Sequence, residues 1–141
     1  MAITTTMTNS YKQDILSGTQ ASGDTYKIAL YTSLATLDAS TTAYSATNEV
    51  VGTGYTAGGA TVTFGTAPSS TSTTAFVTPS ASIVYSNVTL STAFDAVLIY
   101  NSTQSNKAVS VHTFGSQTVT AGTFTLTMPV NDASTGLIRL A

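Results

Sequence analysis

Toward the end of the chain, Phe124, Leu126 and Met128 alternate strictly with Thr123, Thr125 and Thr127, and Pro129 stops the pattern. A repeat of two is the period of a pleated strand with one apolar and one wet face. A proline cannot continue the ladder. The same alternation occurs near the start, where Tyr26, Ile28 and Leu30 point one way and Lys27, Ala29 and Tyr31 the other. A chain with such runs at both ends must find a second apolar layer to cover them.

The wet faces carry almost no charge. Charged residues are 7% of the 141 residues, against about a quarter in ordinary soluble domains. Threonine and serine stand in their place, and threonine suits a strand because it is β-branched. At 42% hydrophobic the chain is too apolar for the disordered class. Further strands are expected at Ala60 to Phe64, Ala75 to Thr78, Ala81 to Tyr85, Val88 to Leu90, Phe94 to Tyr100, Val109 to Phe114 and Thr118 to Met128. Leu137 to Leu140 forms a last short run, and the unbroken apolar stretch around Ala96 to Tyr100 predicts a strand buried on both faces.

Leu34 to Thr47 reads as a long loop, Ala67 to Thr74 as a flexible connection and Asn101 to Asn106 as a polar turn. Ser10 to Ser17 is the one clear helix, with Asn9 or Ser10 as its cap and Gly18 as its end, and together with the short arm before it spans about residues 1–18. The fold class that follows is mainly β, an antiparallel β-sandwich or jelly-roll-like single domain over residues 1–141 with one or two short helices. Its core is expected to include Ile28, Leu30, Val62, Phe64, Val97, Ile99, Phe124 and Leu126.

The residue inventory narrows the chemistry. Four basic residues, Lys12, Lys27, Lys107 and Arg139, and a net charge of −2 argue against nucleic acid as a partner. Without cysteine there are no disulfides and no thiolate metal sites. The opening residues lack a basic and an apolar region of signal-peptide type, and no apolar run reaches the length of a membrane span. A protein made in the cytoplasm and kept soluble unless another machine carries it out, with no membrane partner, is expected.

The single histidine, His112, lies in an alternating stretch without a nucleophile-elbow pattern nearby. The carboxylates Asp14, Asp24, Asp38, Glu49, Asp95 and Asp132 are scattered singly. Asp24 and Asp132 are read as turn formers, and Glu49 and Asp95 as acceptors for backbone amides. No catalytic residue, no metal site and no cofactor is expected; a cation, if any, would fall to Asp38, Glu49 or Asp132. The acceptor patterns at Asn87 and Asn101 are put down to chance in so threonine-rich a chain.

Four glycines, Gly52, Gly54, Gly58 and Gly59, fall within eight residues just before the strand at Ala60. No lysine and no helical pattern accompany them, which argues against a phosphate-binding loop. They read as a shaped connection, fitted either to a neighbouring subunit or to its own sheet. Together with Tyr31 and Tyr55, aromatic residues beside small polar ones, these glycines are the candidate interface.

The string Asn48-Glu-Val-Val-Gly-Thr-Gly-Tyr-Thr-Ala-Gly-Gly59 resembles a segment of small virion structural proteins of tailed bacteriophages, of the form NEVxGTGYTAGG. The stretches Asn9 to Gly18, Asp24 to Ser33, Val84 to Thr89 and Ala93 to Tyr100 are similar to its members in the same order, covering about three quarters of the chain. Tyr85 stands where members often carry tryptophan. The resemblance implies a virion component, and no catalytic residue is carried over with it. The expected role is a non-enzymatic capsid decoration (cement) protein on the capsid surface, bound to the major capsid protein and to copies of itself as a homo-oligomer. The alternatives are a tail, neck or fibre-attachment protein, a carbohydrate-binding adhesin, and, last, a glycan-cleaving enzyme.

Overall fold

The structure, a computed structural model, describes residues 2–141. In chain order the elements are β1 (Thr6–Met7), α1 (Asn9–Ser17), β2 (Tyr26–Thr32), β3 (Ala60–Val62), β4 (Ser69–Thr71), β5 (Thr74–Val77), β6 (Ile83–Asn101), β7 (Lys107–Leu126) and β8 (Ile138–Leu140). Five strands form one antiparallel sheet in the order β1-β7-β6-β2-β3, and three form another, β4-β5-β8. The architecture is the expected β-sandwich with one short helix. The connection at residues 67–74, expected without regular structure, carries β4.

The strands expected between residues 81 and 128 merge into one long hairpin. β6 has 19 residues and β7 has 20, so each would run roughly 65 Å if straight. That is several times the radius of gyration of roughly 14 Å expected for this length, and the hairpin must bend. Bulges bend it. Between Tyr85↔Phe124 and Val88↔Gly122 the extra residue lies on β6, where Asn87 has φ 54°. Between Val88↔Gly122 and Leu90↔Val119 it lies on β7, where Ala121 has φ 45°. Further insertions follow on both strands around Phe94, and the register then recovers to Val97↔His112 and Leu98↔Val111. Each insertion adds twist and re-aims the strand.

The bend lets one hairpin serve both layers. Tyr26, Ile28, Leu30, Val97, Ile99 and Val109, from the central strands, share a core with Tyr85, Val88 and Leu90 from the far half of β6. Phe94, fully buried, lies edge-on to Phe114 and Phe124 at centroid distances of 6.1 and 4.9 Å. Of the expected core, Ile28, Leu30, Val62, Val97 and Ile99 are buried, while Phe64, Phe124 and Leu126 pack against it half-buried.

The opposite face of β2 and β6 is also covered. Ala29, Tyr31, Ala96, Leu98, Tyr100, Ala108 and Val111 pack there beneath Ala35, Leu37, Ile3 and Tyr44. The loop that follows β2 and the N-terminal arm are thus the lid of a second core. This lid explains why residues 96–101 are all buried.

Helix α1 is capped by Thr8, one residue before the expected candidates. Its side chain accepts from Tyr11 N (3.3 Å) while its hydroxyl reaches Ala108 O at 3.0 Å. Gly18 ends the helix in the left-handed conformation. The residue buried on α1 is Asp14, which accepts from Lys107 Nζ at 2.6 Å and from Gln20 Nε2 at 2.9 Å, while Leu16 is 90% exposed. No helix of the described residues is long and apolar enough to cross a membrane.

Truncating Phe94 to Ala should cost about 3–5 kcal/mol, the range for a fully buried phenylalanine. Leu16→Ala should stay within about 0.5 kcal/mol. Urea unfolding of the two variants checks both, and equal losses would contradict the packing described.

Candidate functional site

The glycine segment is wound around one buried carboxylate. Asn48 takes a left-handed turn (φ 62°) and its carbonyl accepts from Thr32 N at 3.0 Å, which brings the chain alongside the end of β2. Glu49 then bridges to Tyr31, and Val50 N donates to Leu30 O at 2.9 Å. The carboxylate of Glu49, 6% exposed, accepts three hydrogen bonds: from Tyr44 Oη at 2.6 Å, Tyr55 Oη at 2.7 Å and Gly58 N at 2.7 Å. The one ion pair among the described residues is Lys107–Asp14. Glu49 is therefore held by hydrogen bonds, which strengthen when the acceptor is charged.

A second ring of phenols supports the first. Tyr55 Oη also accepts from Leu30 N at 3.0 Å, and Tyr100 Oη donates to Gly58 O at 2.7 Å. Tyr44 stacks on Tyr100 with centroids 4.6 Å apart. Tyr31 Oη donates to Ser45 O at 2.6 Å, fastening the lid loop, and Tyr85 Oη reaches Ile28 O at 3.3 Å. Burial first, and then the nearby charge of Glu49, raises the Tyr31, Tyr44, Tyr55 and Tyr100 hydroxyls above the ordinary phenol range; burial does the same for Tyr85. These tyrosines are neutral donors.

The glycines fit the segment to its own sheets. A Cβ on Gly52 would collide with Thr89 O, and one on Gly54 would lie 2.8 Å from Asn87 O, both on β6. Thr53 bridges to Thr89 between them. Gly58 sits under the Tyr100 hydroxyl, and a Cβ on Gly59 would strike the carbonyl of Ile28 on β2. Gly59 also has φ 74°, a conformation that other residues adopt only at a cost. Val51, the one position left free in the NEVxGTGYTAGG form, is 83% exposed.

The candidate interface residues all make contacts within the chain. Tyr31 is 1% exposed because β2 is covered on both faces, so its side chain cannot reach a neighbouring subunit. Tyr55 is half-buried with its hydroxyl used by Glu49 and Leu30. Gly52, Gly54, Gly58 and Gly59 answer to β2 and β6. The segment is fitted to its own sheets, with Thr53, Gly54, Thr56 and Ala57 exposed on its outer side.

The remaining candidates are dispersed. Glu49 accepts a backbone amide as expected, but Asp95, at the bulge beside Phe94, buries Oδ1 without a hydrogen-bond partner. Asp24 is held below the ordinary carboxylate range chiefly by the Asn101 amide, Asp38 by Ser40, and Asp132 by the Thr135 and Ser134 amides, each in a turn. Asn101 is fully buried, which closes it to a glycan. His112 Nε2 lies 2.9 Å from Ser110 Oγ on the same strand, and burial depresses its pKa to about 4. No group of three or more His, Cys, Asp or Glu able to hold a metal ion occurs among the described residues. Comparison of the chain with protein-family models, curated proteins and solved structures gave no match in any of the three.

Glu49→Ala should leave the buried Gly58 amide and the part-buried Tyr44 and Tyr55 hydroxyls without their acceptor, and at about 1–3 kcal/mol for a buried donor should lower stability by about 2–3 kcal/mol in urea titrations. A loss under about 1 kcal/mol would contradict the network. His112 has a folded pKa below its ordinary value of 6.5, so the unfolded state binds the extra proton. Its contribution to stability is complete above pH 6.5 and is lost as pH falls toward 4. His112→Gln should flatten the melting-temperature profile across that window; an unchanged slope would assign it to other groups.

Proposed function

We propose that the protein is a non-enzymatic structural component of a tailed-phage virion, a capsid decoration (cement) protein that binds across capsomer seams. Its partners on this reading are the major capsid protein and further copies of itself. The observation that carries it is the segment at residues 48–59. The residues of that string that set the fold here, Asn48, Glu49, Val50, Tyr55 and the four glycines, make contacts within the chain, with Glu49, β2 or β6, and the free position points to solvent. The resemblance therefore rests on residues that shape a fold.

Surface physics supports the same reading. The exposed residues of the far half of β7 are threonine, serine, glutamine, alanine and glycine. A hydroxyl-lined sheet can lie on another protein with few charges to desolvate. Many copies would turn modest contacts into tight occupancy. The non-enzymatic part is supported by Ser110, the hydroxyl beside His112, which is 2% exposed and so out of reach of a substrate.

Quantitative mass spectrometry of purified particles tests the proposal. Hundreds of copies per particle, surviving washing and lost together when the shell is stripped, is the expected result. A handful of copies that fractionate with tails would favour the tail or neck alternative, and absence from particles would overturn the virion reading.

A further inference from the structure

The far half of β7 is paired on one side only. β1 covers β7 at Ser110 and Val111, and Thr5 Oγ1 accepts from Thr113 N at 2.9 Å. The arm then turns away, with Thr4 N bonded to Leu37 O, and among the described residues β7 has no other strand beside it from Phe114 onward. The remaining outer strands, β1, β3, β4 and β8, are two or three residues long. Long free edges are normally blunted by lysine, proline or inward charge. Between Lys107 and Asp132 there is no charged residue, and the first proline is Pro129. A bulge at Ala121 interrupts the edge, but beyond it Phe124, Thr125 and Leu126 pair with β6 in unbroken register.

A second feature lies at the same edge. A cleft of about 460 Å³ opens there, floored by Ile28 and Val97 and walled by Phe114, Phe124, Leu126 and Met128. It takes lining from both halves of β7 and none from the far half of β6, so it opens on the unpaired side. Phe114, Phe124, Leu126 and Met128 stay half-buried as a result. Filling this cleft calls for an uncharged strand with apolar side chains at alternate positions. The chain carries such a segment at the mouth of the cleft itself, in Phe124 and Leu126 at the end of β7 and Met128 two residues beyond it.

We infer that residues 122–128 pair edge to edge with the same residues of a second copy, antiparallel across a two-fold axis. A two-fold interface needs a surface that complements itself, and an antiparallel strand edge does so in its hydrogen bonds. A two-fold axis perpendicular to the sheet keeps Phe124 and Leu126 of both copies on one face, so each copy roofs the other's cleft. Main-chain bonds supply the attachment and the cleft the selectivity. Nothing charged is buried. The inference stands on the geometry of β7 and goes beyond the proposed function: a virion protein that met its copies elsewhere would fail it and leave the virion reading intact.

Sedimentation of the full chain over a concentration series tests the pairing. Wild type should shift to twice the monomer mass as concentration rises. Thr125→Lys and Thr125→Asp, at an exposed position, should each lose the dimer by setting like charges opposite one another, and mixing the two should restore it. Hydrogen exchange on wild type gives a reading free of any folding defect, since amides of residues 122–128 should gain protection with concentration while those of β2 do not. A wild type that stays monomeric throughout, or a dimer indifferent to both substitutions, overturns the inference.

Discussion

A carboxylate buried without a cation is expensive, and Glu49 is kept in place by three donors converging on its two oxygens. Each donor ties a different stretch of chain to the end of β2. Tyr44 brings the lid loop of the second core, Tyr55 brings the middle of the glycine segment, and Gly58 brings the approach to β3. The penalty for stranding any one of them in the interior exceeds the gain from making it. The network therefore acts less as glue than as a selector among loop conformations. With Glu49 satisfied, the loops on both sides of β2 have one compatible path.

The bent hairpin has a similar logic in the backbone. Its bulges between Tyr85 and Ala96 fall on alternate strands, so each insertion turns the ribbon and the next restores the register. The far half can then lie across Ile28 and Val97 as the second layer. Gly52 and Gly54 matter here because they let the loop rest directly on residues 87–90 of β6. A side chain at Gly52 would hold the two apart, and the layers with them.

Much of this was legible in the residues. The alternations at Tyr26–Leu30 and Thr123–Met128 mark real strands, and the apolar run before Asn101 marks the strand buried on both faces. The breaks expected within β6 and β7 fall where the structure bulges, around Asn87 and between Phe114 and Thr118. There the period-two pattern resets because an inserted residue shifts the register, which periodicity alone reads as a gap. The lid loop was opaque because its residues are small and aperiodic, and only the partner face explains why Ala35 and Leu37 are buried. Glycine spacing showed a built shape and could not show what fills the space beside it. The signal for the phenol donors lay close by: Tyr44, Tyr55 and Gly58 are within nine residues of Glu49, and a lone carboxylate among tyrosines with no cation nearby in sequence is a candidate for such a cluster.

The central claim is that the segment at residues 48–59 is ordered by its own sheets and by Glu49 before any partner arrives. Amide hydrogen exchange of the isolated chain, resolved by NMR at Gly58 and Leu30, tests it most directly. The Gly58 amide bonded to the carboxylate and the Leu30 amide bonded to Tyr55 should exchange only through global unfolding, as slowly as the central amides of β6. Fast exchange at Gly58 in the free protein, with protection gained only on assembly, would contradict the account and return the segment to its partner.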